Sequence, residues 1–172
     1  MKTLLIIVLA LICAVSARAQ TVKVQRVIDG DTFVALEGDS TYHVRMLYID
    51  TPESVHPDKK RNIPMGKVAS DWTKTCLEGK TVTLVHPERK EKHDIFHRKL
   101  ALVFLNGSCI NLELVRVGLS PYYTKYGKAQ EPWHDRFMHA EKEARNNSNG
   151  IWSDPKLTKK YLRLKSKWNQ KR

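Results

Sequence analysis

Three β-branched and aromatic-rich runs are packed into residues 22–49 with turn signals between them, and this stretch most constrains the fold. Val22, Val24 and Val27-Ile28 lead into Asp29-Gly30, a strong turn pair. Thr32 to Leu36 follows, Glu37 to Ser40 turns again, and Thr41 to Ile49 makes the third run. Runs of this kind read as short strands joined by tight turns. Asp50-Thr51-Pro52 closes the third, because proline cannot donate to a β-ladder.

The remainder adds helices after strands. Met65, Val68, Ala69, Trp72, Cys76 and Leu77 recur at helical spacing, with Gly79 just past the end. Thr81 to Val85 and Leu100 to Leu105 read as strands, the second closed by Asn106-Gly107. The charged segment from Pro87 to His97 between them reads as a loop or extended hairpin. Ile110, Leu114 and Val115 mark a short helix stopped at Gly118, and Trp133, Phe137, Ala140 and Ala144 mark a third helix. No βαβ alternation is present, which argues against a doubly wound sheet. The expected class is α+β, mainly β: a five-stranded barrel of oligonucleotide-binding (OB) topology with three packed α-helices.

The ends differ from the body. Met1-Lys2, the apolar run Leu4 to Val15 and Ala17-Arg18-Ala19 form the pattern of a secretory leader cleaved after Ala19. Export to the periplasm or the medium is therefore expected, with residues 1–19 as leader and 20–154 as the domain. The leader takes Lys2 and Arg18 with it, lowering the formal charge from +12 to +10. Residues 155–172 hold eight basic residues and no acid, which leaves the body at only +2. Within that tail Leu157, Tyr161, Leu164 and Trp168 fall on one helical stripe, with lysines and arginines around them. It reads as a basic amphipathic helix that either docks on the body or adheres to nucleic acid or an acidic membrane surface. Cys76 and Cys109 remain after the leader is removed; in an exported chain such a pair reads as a disulfide, with two buried thiols as the alternative.

Function concentrates in residues 29–53. Asp29-Gly30-Asp31-Thr32 and Asp50-Thr51-Pro52-Glu53 place acids at both ends of the strand-rich stretch, with Arg45 between them. Each acid alone is an ordinary turn residue; together with a guanidinium they suggest a hard cation and a phosphate held side by side. The seven histidines show no ligand spacing with the cysteines, so zinc chemistry has little support.

Five segments carry a more specific likeness. Ile28 to Thr32, Val44 to Glu53, Asp94-Ile95-Phe96-His97-Arg98, Asn111 to Leu119 and Gly150-Ile151-Trp152-Ser153 follow one another in order. Together they resemble the staphylococcal nuclease (thermonuclease) family across roughly residues 22–154. The resemblance implies an OB barrel and a Ca²⁺-dependent, sugar-nonspecific phosphodiesterase acting on DNA and RNA. It also implies Asp31, Asp50 and the Thr51 carbonyl as Ca²⁺ ligands. Glu53 is then the general base toward water, while Arg45 and Arg98 hold the phosphate through guanidinium forks. Phe96 and either Tyr122 or Tyr123, with Tyr123 preferred, are expected beside the nucleotide. Ile95 and Phe96 stand where the family's best-known member has a lysine and a tyrosine for a terminal phosphate, so weaker binding of such phosphates is expected. A monomer is expected, with no obligate protein partner. The reading from another class is a non-catalytic OB module that binds nucleic acid without turnover; clustered acids beside a polyanion argue against it.

Overall fold

A computed structural model of the protein describes residues 18–87 and 92–170. The expected leader lies outside the described residues apart from Arg18 and Ala19, as do 88–91 of the charged loop and the last two residues of the tail.

The fold is the expected OB barrel. β1 (Arg18–Asp29), β2 (Thr32–Glu37) and β3 (Ser40–Met46) form the predicted meander, and β4 (Thr81–His86) and β5 (Lys99–Leu105) complete the barrel. β1 is long enough to serve two neighbours. Its first half pairs with β4 and its second with β2, and bulges at Val24/Arg26 and Val27/Asp29 bend it between them. Parallel pairing of Val44–Met46 with Lys99–Ala101 then joins β3 to β5 and closes the barrel. A two-residue β6 (Ser108–Cys109) extends the β5 edge.

The apolar positions of these strands converge on one core. Val22, Val24, Phe33, Ala35, Val44, Met46, Val82, Leu84 and Leu102 are all buried there. α1 (Pro64–Leu77) caps it with Ala69 and Leu77, α2 (Ile110–Arg116) with Leu114 and Val115, and α3 (Trp133–Asn146) with Phe137 and Ala140. β3 ends three residues earlier than its composition predicts. Tyr48 takes a left-handed backbone conformation (φ 63°), which turns the chain out of the ladder and toward Asp50.

A fourth helix, α4 (Pro155–Gln170), occupies the predicted tail. Asp154 caps it, its carboxylate accepting from the Lys156 and Leu157 amides at 2.7 and 3.1 Å. Of the two expectations for this segment, docking is what the structure holds. Tyr161 is buried with Ala144, Ile151 and Trp152, and Leu157 and Leu164 pack against them. Lys165 Nζ reaches Glu141 Oε2 of α3 at 2.6 Å. The basic residues Lys156, Lys159, Lys160, Arg163 and Lys167 stay exposed on the outer face.

The cysteines correct a sequence expectation. Both are free thiols, not a bridge. Cys76 lies on α1, which packs on β1, whereas Cys109 precedes α2, which packs on β5 and α3. Each contributes apolar surface to the core, and burial pushes the Cys109 thiol up to about 11, so it stays protonated at neutral pH.

Candidate active site

The Asp29-Gly30 turn, the chain after β3 and the loop before β5 meet at one end of the barrel, around a cleft of about 860 Å³. Asp31 sits at its floor. Its Oδ2 accepts from the Thr51 amide (3.0 Å) and hydroxyl (3.2 Å), and Arg45 Nη1 lies 2.7 Å away. These contacts bind the start of β2 to the loop that follows β3. Gly30 permits the approach, since a Cβ there would fall 2.7 Å from Thr51 Oγ1.

Arg45 also reaches Asp50 through Nη2 at 3.2 Å, so one guanidinium spans both predicted metal-ligating carboxylates. Asp50 is anchored by its amide, which donates to Ser120 Oγ at 2.8 Å, and its carboxylate faces the cleft with 38 % of the side chain exposed. Burial raises the Asp50 carboxyl to about 6 against the pull of Arg45. Burial and the neighbouring Asp31 raise Asp29 to about 7. The Asp29 carboxylate accepts from the Asp31 amide at 3.1 Å, a supporting position behind the cleft floor. The site thus holds more carboxylate than Arg45 neutralises. Its donors are all oxygen, the set a hard cation prefers. Among the described residues, no three His, Cys, Asp or Glu side chains form a metal cage. A cation here would therefore share its shell with backbone carbonyl, water or substrate.

Arg98 arrives from the loop before β5. Asp94 fixes it twice, accepting from Nε at 2.7 Å and lying 2.6 Å from Nη2, while the other Asp94 oxygen accepts from the Phe96 and Arg98 amides. Burial alone would raise the Asp94 carboxyl, but its bonds to Arg98 hold it below the ordinary value. Arg98 Nη1 donates to Thr32 Oγ1 at 3.1 Å, and that hydroxyl donates to Asp31 Oδ1 at 3.0 Å. A continuous chain therefore runs from Arg98 through Thr32 and Asp31 to Arg45. Asp94 and Thr32 are the functional positions that sequence reasoning missed. Asp94 lies inside one of the family-like segments without an expected role, and Thr32 reads only as the start of the second strand. The only available signal was the four-residue Asp94–Arg98 spacing.

Residues 43–154 match the family described as Staphylococcal nuclease homologue. The chain belongs to that family. It is 36 % identical over 139 residues to a thermonuclease of Staphylococcus hyicus, covering 81 % of this chain and 79 % of that protein. A thermonuclease of Staphylococcus intermedius is 33 % identical over 135 residues, 78 % of this chain and 77 % of its own. Endonuclease YhcR of Bacillus subtilis is 34 % identical over 139 residues, which are 76 % of this chain but 11 % of that much longer protein.

In this staphylococcal nuclease homologue the tyrosine ambiguity resolves by burial. Tyr122 is 0 % exposed, stacks on Phe137 at 5.1 Å, accepts from the Ala129 amide and shares a hydrogen bond with His134. It is a core residue and does not line the cleft, contrary to its expected place beside the nucleotide. Tyr123 instead lines the cleft with Phe96, Tyr126 and Arg61. Phe96 is 70 % exposed, its ring 5.3 Å from the Arg98 guanidinium carbon. Glu53 also lines the cleft, half-exposed, with Arg61 Nη2 4.0 Å from its Oε1.

Proposed function

We propose that this protein is an exported, Ca²⁺-dependent nuclease that hydrolyses phosphodiester bonds in DNA and RNA without regard to the sugar. Family membership and the nuclease relatives support action on nucleic acids. The observation that carries the catalytic reading is the Arg98–Thr32–Asp31–Arg45 chain, which links two guanidinium groups to one acidic floor inside one cleft. Export rests on the leader pattern of residues 1–19. No helix among the described residues is long and apolar enough to cross a membrane.

Asp31, Asp50 and the Thr51 carbonyl would hold Ca²⁺, which when bound supplies charge neutralisation at the phosphate and orientation of water. Glu53 accepts the proton of the attacking water. Arg45 and Arg98 bind the phosphate oxygens and tighten as charge develops on them. Arg98 has N–H groups to spare for this: with Nε and one N–H each of Nη1 and Nη2 engaged, two of its five remain. Phe96 and Tyr123 offer rings to the bases, a contact that tolerates any sequence.

The test is digestion of DNA and RNA in millimolar Ca²⁺ and again with excess chelator. Cleavage of both substrates is expected, falling by about 10³-fold or more without the ion, since such an ion supplies several kcal/mol. Undiminished cleavage in chelator would overturn the metal assignment. Tight binding with no cleavage in either condition would leave the binding module as the function.

The backbone of Glu53 has its own support. Its carbonyl accepts from the Ile63 amide at 3.1 Å, and Gly66 of α1 lies flush against it. A Cβ on Gly66 would stand 2.0 Å from that carbonyl oxygen and 2.8 Å from the Pro52 oxygen. Gly66→Ala must therefore push the Pro52–Glu53 segment away. We expect stability to fall by about 1–3 kcal/mol and kcat by about 10²-fold, read from denaturant melts and steady-state kinetics. Wild-type kinetics in this variant would show that Glu53 needs no such placement.

A further inference from the structure

The nucleotide-facing ring of Tyr123 sits on the irregular segment that connects α2 to α3. The Tyr123 amide donates to the Tyr48 carbonyl at 2.8 Å. An anchored backbone still leaves the direction of the ring to the side chains packed against it. The remaining restraint comes from α4. Trp168 meets the Tyr123 ring edge-on at 4.7 Å with an interplanar angle of 86°. Tyr126 also meets that ring edge-on, at 5.9 Å, but Tyr126 is 72 % exposed whereas Trp168 is 8 % exposed. The firm wall is therefore Trp168.

The preceding residue is clamped from the same direction. The Tyr122 amide donates to Glu141 Oε1 at 3.0 Å, and Lys165 Nζ donates to the Tyr122 carbonyl at 3.2 Å. Lys165 and Glu141 are themselves paired at 2.6 Å, so one ion pair grips both peptide groups of Tyr122. Tyr161, two turns before Trp168, feels the cleft carboxylates Asp50, Asp31 and Glu53 as well as burial, which raises its phenol. This face of α4 runs behind the site.

We propose that Trp168 is a positioning residue for the nuclease cleft: through its edge-on contact it fixes Tyr123 as a stacking platform for a base, so that the C-terminal helix sets nucleic-acid affinity. The proposal rests on the reading of this cleft as the nuclease site. A ring held in place pays no ordering cost when a base stacks on it, and a loose ring pays that cost at each binding event.

The experiment compares Trp168→Phe and Trp168→Leu in the full chain. Phenylalanine keeps an aromatic edge toward Tyr123, whereas leucine keeps apolar bulk under α4 without it. KM for single-stranded DNA is expected to rise about fivefold to tenfold in Trp168→Leu, with kcat within about twofold, and to stay near wild type in Trp168→Phe. Fluorescence polarisation of a labelled oligonucleotide in chelator should give the same ranking without turnover. Adding Tyr123→Leu to Trp168→Leu should cost little more than either alone, because both remove one platform. Equal losses for Phe and Leu, an unchanged KM in Trp168→Leu, or additive losses in the double variant would each overturn the proposal. Absence of cleavage by the wild-type protein in Ca²⁺ would instead defeat the nuclease reading, while the polarisation ranking would still judge Trp168.

Discussion

Glu53→Gln is expected to lower kcat for DNA cleavage by about 10²- to 10⁴-fold, the contribution of a well-placed general base, and to leave KM within a few-fold. The amide keeps the shape of the side chain but cannot take a proton from water at neutral pH. Little else changes. The Glu53 side chain is 43 % exposed, and its ion-pair partner among the described residues, Arg61 at 4.0 Å, is more exposed still. An ion pair of that kind contributes roughly 0–1 kcal/mol, so the melting temperature should hardly move. The diagnostic result is a large kcat loss with an unaltered melt. Full activity in Glu53→Gln would remove Glu53 from the chemistry, and a large rise in KM with kcat unchanged would reassign it to binding.

Lys165→Met is expected to have the largest effect on stability. Lys165 and Glu141 are 16 % and 5 % exposed at the side chain, so the methionine leaves a carboxylate buried without its cation. Breaking a buried pair from one side costs about 3–5 kcal/mol, which in a domain of this size lowers the melting temperature by about 10 °C. A denaturant melt should show the midpoint fall with an unchanged slope. The double variant Lys165→Met, Glu141→Gln should recover part of the loss, because no buried charge is then left unpaired. A single variant as stable as wild type would mean that α4 detaches without consequence for the barrel.

The barrel was legible because its strands carry their own evidence. Val22, Val24, Phe33, Val44 and Leu84 had to face one core, and Asp29-Gly30 and Asn106-Gly107 had to turn. The stripe Leu157, Tyr161, Leu164, Trp168 likewise announced a helix, yet a stripe does not name the surface it covers. That surface is built from Ala144, Ile151 and Trp152, and nothing in their own pattern points to the tail as the partner they meet. Arg98 was legible only through likeness to a family, since in isolation it is one cation in a basic loop. Thr32 was invisible, because a hydroxyl bridging Arg98 and Asp31 exists only once strands far apart in sequence have closed. The two cysteines failed for the same reason: apolar-face positions, one on α1 and one at the start of α2, said nothing about which side of the barrel each helix would take.

The join between β3 and β5 bears on when this protein can act. Arg45 lies within that join, opposite Leu100, and Arg98 immediately precedes it. Contact between Arg98 and Thr32 spans 66 residues of chain. Parallel pairing over such separations is slow to form, since the chain must be looped before any bond is gained. Until those few residues zip together the two guanidinium groups belong to unconnected ends of an open sheet. The proposed chemistry therefore needs that join closed, and a copy whose sheet is still open, with Arg45 and Arg98 apart, is expected not to cleave nucleic acid.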